Sequence, residues 1–126
     1  MFRFFLRLVA VIQIVLGLAY AFAPAAFLAS MGHSPLPPDL AYPFAMLAAR
    51  FLVYGAGLWL ISRAPARHLL WIRLMGYIQL IDLSAGLFHT LAGNVQWSHS
   101  AFPMFNAVWI ALLCLLWKPK DADQAA

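Results

Sequence analysis

Charge is scarce in this sequence. Only 10% of the 126 residues are charged and four of them are acidic, against about 25% charged in an ordinary soluble domain. The apolar share is 65%, above the usual range of about 45–50%. A chain of this length forms one domain, and its apolar content exceeds what a core of that size hides. The surplus therefore faces lipid. That composition excludes a disordered chain, because disorder requires low hydrophobicity and high charge. Cys114 is the single cysteine and sits inside an apolar run, so a disulfide scaffold is excluded too. The four histidines, at 33, 68, 89 and 99, are scattered, with no metal-ligand spacing. No phosphate-binding glycine loop and no nucleophile with its base is present, so no catalytic residue and no metal are assigned. Low-complexity segments and a second domain are also lacking.

What is present is length in apolar runs. A helix crossing the roughly 30 Å hydrocarbon layer needs about 20 mostly apolar residues. Four stretches qualify, from about Phe4 to Ala23, Tyr42 to Ile61, Leu69 to Ala92 and Ser100 to Trp117. The expected fold is an all-α membrane protein, a bundle of four transmembrane helices with short loops, forming one membrane domain over residues 1–126. The longest connection, Pro24–Ala41, holds Pro24, Pro35, Pro37 and Pro38, and the Pro37-Pro38 pair forbids a continuous helix there.

The net charge of +4 comes from basic residues placed at span ends. Arg3 and Arg7 open the first span, Arg63, Arg67 and Arg73 flank the link between the second and third, and Lys118 and Lys120 follow the fourth. The other two connections, Pro24–Ala41 and Gly93–His99, have neither Lys nor Arg. Because basic residues near span ends are retained in the cytoplasm, both termini are expected there, in a bacterial inner membrane crossed several times. The positive charge is a topology signal and an attraction to anionic lipid head groups, not a nucleic-acid footprint. Trp71, Trp97 and Trp117 lie near span ends, as interfacial aromatics do. One rival reading takes the first span as a secretory signal, since Ala21-Phe22-Ala23 follows a basic start and an apolar run. Pro24, just after that site, disfavours cleavage.

Each polar residue within a span needs a reason, because an ionisable group at a helix centre costs about 2.5–3.5 kcal/mol. The first span carries Gln13, the second Arg50, the third Gln79, Asp82, Ser84 and His89, and the fourth Asn106. At about 100° per residue, Gln79, Asp82, Gly86 and His89 share one face of their helix. Tyr54 and Gly57 stand beside Arg50. By a rise of about 1.5 Å per residue, Arg50 and Asp82 lie at matching depth below the outer boundary. A charge-assisted ion pair between them is expected, offsetting much of the desolvation cost either group alone would carry. On the functional reading, Arg50, Tyr54, Asp82, His89 and Asn106 line a ligand pocket open toward the outer loop. The other reading makes these residues interhelical glue, the role also given to Gln13, Gln79 and Ser84. Small residues at helix-packing spacings, Gly55 and Gly57, Ala45 and Ala49, Ala19 and Ala23, are expected at close contacts. Met46, Met75 and Met104 are read as filler or lipid-facing surface, and Cys114 as an inert thiol.

Three stretches together resemble a known group. They are Ala23-Pro24-Ala25-Ala26-Phe27-Leu28 at the close of the first span, Ala49-Arg50-Phe51-Leu52-Val53-Tyr54-Gly55-Ala56, and Asp82-Leu83-Ser84-Ala85-Gly86-Leu87-Phe88-His89. The pattern, over roughly Phe4 to Trp117, is similar to the small four-helix BphX-like and DoxX-like bacterial membrane proteins. The DoxX branch is linked to a membrane complex that passes electrons from sulfur compounds to quinone. This chain has no redox motif to carry that activity, and one cysteine cannot form an internal dithiol. Three functions follow as expectations. The first is an accessory or interaction subunit that binds a membrane-protein partner, or its own copies, within the bilayer. The second is binding or transport of a lipophilic small molecule such as a quinone or lipid. The third is a component of a membrane redox enzyme. No cofactor is assigned beyond the quinone that the second reading admits.

Overall fold

Proline and glycine punctuate the described residues into five α-helices. The structure, a computed structural model, describes residues 1–118; Lys120, counted above among the basic residues after the fourth span, lies outside them. The helices are α1 (Phe2–Phe22), α2 (Pro24–Ser30), α3 (Ala41–Ile61), α4 (Leu69–Leu91) and α5 (Trp97–Leu116). Short 3-10 turns at Pro38–Leu40 and Pro65–His68 precede α3 and α4, and no strand occurs among the described residues. The connection Pro24–Ala41 thus contains a helix of its own. Ala23 leaves helical geometry at φ −144°, ψ 50°, and Pro24 restarts the chain at the first position of α2, where its fixed φ suits a helix and its missing N–H is no loss.

Two helices end in the same way. Gly32 (φ 83°) follows α2 and Gly93 (φ 77°) follows α4, a left-handed conformation that glycine adopts without a Cβ penalty. Around Gly93, the Asn94 N–H donates to the His89 carbonyl at 2.9 Å and the Gly93 N–H to Thr90 at 3.1 Å. Around Gly32, the His33 N–H donates to Leu28 at 3.1 Å and the Gly32 N–H to Ala29 at 3.0 Å. This pair of crossed bonds satisfies carbonyls that a helix C-terminus otherwise leaves open. Pro103 lies inside α5 and cannot donate to the His99 carbonyl.

The chain divides into two compact units, Met1–Arg63 and a second that begins at Ala64. Each is built on an antiparallel helix pair. In the first unit, Arg7 meets Ser62, Gly55 meets Ala10 and Ile14, Gly17 meets Leu52 and Tyr20 meets Phe51. Residue number rises on α1 as it falls on α3, the mark of an antiparallel register. In the second unit Gly76 meets Cys114 and Leu115, Gly86 meets Met104 and Thr90 meets Ser100, which fixes α4 against α5 in the same sense.

Glycine sets how closely each pair approaches. A Cβ added at Gly55 would lie 2.7 Å from Ile14 Cγ1 and 2.9 Å from the Ala10 carbonyl oxygen. At Gly76 it would lie 2.6 Å from Leu115 Cγ. Gly57 differs, with nothing within 4 Å of such a Cβ, and Ala23, Ala45 and Ala49 are exposed. Of the small residues expected at contacts, Gly55 makes one, whereas Gly57, Ala23, Ala45 and Ala49 turn away from the α1–α3 seam. The seam is instead lined by the periodic set Leu6, Val9, Ala10, Gln13 and Gly17 on α1, all buried. Met75 and Met104 are buried and Met46 is exposed.

Among the described residues, three helical segments are long and apolar enough to cross a membrane: Phe2–Phe22, Pro38–Ile61 and Trp97–Leu116. All three begin or end within four residues of the spans expected from the sequence. With 23 residues α4 has the length, but Arg73, Gln79, Asp82, Ser84 and His89 lower its mean hydropathy and it is not among the three.

Candidate functional site

The residues singled out by the sequence divide between the two units. Gln13, Arg50 and Tyr54 belong to the first, and Gln79, Asp82, Ser84, His89 and Asn106 to the second.

In the first unit, α3 places Arg50 and Tyr54 one turn apart, both half-buried. The Arg50 guanidinium carbon lies 5.2 Å from the centroid of the Phe51 ring, within the range where a cation is attracted to an aromatic face. Phe51 in turn stacks on Tyr20 of α1, with centroids 5.7 Å apart and planes 9° from parallel. Tyr20 also stacks on Phe44 at 5.4 Å and 17° and receives Phe27 of α2 edge-on at 5.1 Å and 82°. Tyr20 and these three phenylalanines therefore form a cluster of four rings from three helices, with one guanidinium at the edge. The sequence reading did not single out this cluster. The seven-residue spacing of Phe44 and Phe51 along α3 is the signal that a helical face repeats there. Gln13 is buried on α1, at 3% exposure.

A second polar cluster of this unit went unread in the sequence. Arg7 Nε donates to Ser62 Oγ at 3.2 Å, Ser62 Oγ donates to the Trp59 carbonyl at 2.7 Å, and the Arg7 guanidinium lies 5.6 Å from the Trp59 ring. Ser62 is fully buried, so its hydroxyl is both donor and acceptor with no water needed. Arg7 was read as a charge that orients the first span, and a charge count says nothing of the serine 55 residues later.

In the second unit, Gln79 is buried and its amide donates to Met75 Sδ at 3.9 Å, a long bond to a weak acceptor. Asp82 follows on α4, half-buried. Ser84 is exposed and donates to the Leu80 carbonyl at 2.8 Å within its own helix. His89 is exposed, with Nδ1 3.1 Å from the Asn94 amide nitrogen and its ring edge-on to Phe88. On α5, Asn106 is half-buried and accepts a 3.0 Å bond from the Trp109 indole N–H. A polar contact that joins α4 to α5 involves residues the sequence did not single out for it. Thr90 Oγ1 lies 2.8 Å from Ser100 Oγ and 2.6 Å from the Gly86 carbonyl oxygen, while Ser100 Oγ lies 3.2 Å from the Gln96 carbonyl oxygen. Cys114 is fully buried against the same seam. Among the described residues, no three His, Cys, Asp or Glu side chains gather where a metal ion would sit.

Known protein families, curated proteins and solved structures give no match to this chain.

Proposed function

We propose that the chain is a multi-pass protein of the bacterial inner membrane that works as an accessory or interaction subunit, in the manner of BphX-like and DoxX-like proteins. On this reading α4 is a fourth span beside the three apolar ones, and both termini lie in the cytoplasm. One observation carries it. Polar side chains within the helices are engaged by near neighbours, as in Asn106 with Trp109, Ser84 with Leu80 and Thr90 with Ser100, while large apolar side chains such as Val53, Ile81, Phe102 and Phe105 stay exposed. An exposed apolar helix face in a bilayer meets lipid or another helix. Purification in mild detergent tests the proposal: a membrane-protein partner at fixed stoichiometry, or a homo-oligomer, is the expected result. A partnerless monomer would overturn it.

The aromatic cluster favours a second reading, the binding of an amphiphile with a planar head such as a quinone. Rings around Tyr20 with a guanidinium at their edge offer stacking surface and one charged donor. A binder of this kind retains a lipophilic molecule through purification, visible by mass spectrometry, and loses it in an Arg50→Ala variant that still folds.

A further inference from the structure

Arg7 is held more firmly than its place near a helix end requires. Its Nε–H goes to Ser62, a fully buried hydroxyl, and its guanidinium carbon lies over the ring of Trp59, which is 43% exposed. Arginine carries five N–H donors in a fixed fork, so four remain on a guanidinium whose position is already set. Arg3 lies one turn earlier on α1, and side chains four residues apart on a helix are neighbours. Arg63 follows Ser62 at the same end of the α1–α3 pair. Both are exposed.

This end of the unit gathers three guanidinium groups, and the only acidic residue in positions 1–63 is Asp39. Asp39 lies in the turn before α3, a whole 21-residue helix away from Ser62, or about 30 Å at 1.5 Å per residue. The cluster therefore has no carboxylate of its own unit at hand. Arginine forks match phosphate oxygens in geometry as well as charge, and an interfacial tryptophan sets the depth at which head groups lie. We infer that Arg3, Arg7 and Arg63 form a binding site for the phosphate of an anionic phospholipid head group. Arg7 is the positioned ligand, Ser62 and Trp59 hold it, and Arg3 and Arg63 supply flanking charge. This site rests on the membrane-spanning reading above.

The test is native mass spectrometry of the full chain in micelles containing equal phosphatidylglycerol and phosphatidylcholine. The wild-type protein retains phosphatidylglycerol in preference. Arg7→Gln lowers that preference about tenfold, the loss of a charge-assisted bond. Arg3→Gln and Arg63→Gln each lower it up to about fivefold, the worth of one interfacial charge, and serve as the readout if Arg7→Gln does not fold. Ser62→Ala keeps every charge yet lowers the preference about threefold, because a long side chain must then be ordered on binding. Lys118→Gln removes one positive charge elsewhere. If Arg7→Gln loses no more than Lys118→Gln and Ser62→Ala loses nothing, the site is overturned in favour of general surface charge. Displacement of the lipid by excess inorganic phosphate would assign the arginines to free phosphate and overturn the lipid assignment. Extraction of the protein from vesicles at alkaline pH separates the failures. A chain washed off the vesicle loses the membrane reading and this site together, whereas an embedded chain with no head-group preference loses this site alone.

Discussion

A glycine in a helix is informative only through what stands opposite it. Gly55 faces a backbone carbonyl and a side-chain carbon of α1 under 3 Å from where a Cβ would be, and a carbonyl within a helix cannot retreat. Gly55→Ala is therefore expected to destabilise the α1–α3 pair by about 1–3 kcal/mol, the usual cost of overpacking. Gly57→Ala meets open space and is expected to be neutral or slightly stabilising, since alanine is the better helix former. Unfolding of both variants in graded denaturing detergent, followed by helical circular dichroism, gives the comparison. Thr90 and Ser100 make a second residue-level case. A double-mutant cycle of Thr90→Val and Ser100→Ala should return a coupling of about 0.6 kcal/mol, typical of hydrogen bonds between membrane helices. Neither Gly55 nor Gly57 could be told apart from composition and spacing alone, because both sit in one helix and only the partner helix distinguishes them. Polar residues were easier to find than to assign, since Ser84 and Asn106 each turn to a neighbour in their own helix.

Helices themselves were legible because their signal is local. Apolar runs bounded by Pro24, Pro65 and Gly93 need no knowledge of the rest of the chain, and the helix limits follow from them. The short α2 was not foreseen, although Pro24 is a helix-starting residue and Gly32 a helix-ending one. Four prolines in that connection outweighed these signals. How the helices pair is a separate question, answered by contacts distant in sequence. The antiparallel register of α4 and α5 predicts that Thr90→Cys with Ser100→Cys, in a Cys114→Ala background, forms a disulfide on mild oxidation, detectable as a gel shift. Their side-chain oxygens are 2.8 Å apart, so the two positions face each other directly across the α4–α5 seam. A control pair one turn out of register, Thr90→Cys with Met104→Cys, should not cross-link.

For the molecule in a bilayer, the decisive quantity is the number of crossings. Three apolar segments qualify on composition, and the proposed fourth crossing by α4 has a parity consequence. With four crossings a reporter at the N-terminus and one fused after Lys118 report the same side; with three they report opposite sides. The proposal expects the same side, cytoplasmic, and a reporter inserted after Gly93 on the other. Composition and run length by themselves determined that the chain carries helices apolar enough to cross a membrane, because transfer free energy sums over residues regardless of their arrangement. They also determined where helices stop, since proline and glycine act on their own backbone. Only the tertiary structure decided that Arg7 is anchored by Ser62, that Tyr20 is the centre of a ring cluster and that Gly55 but not Gly57 lies at a seam. Those outcomes depend on which side chains meet across two helices, and a one-residue shift in pairing register changes every such meeting while leaving the sequence as it was.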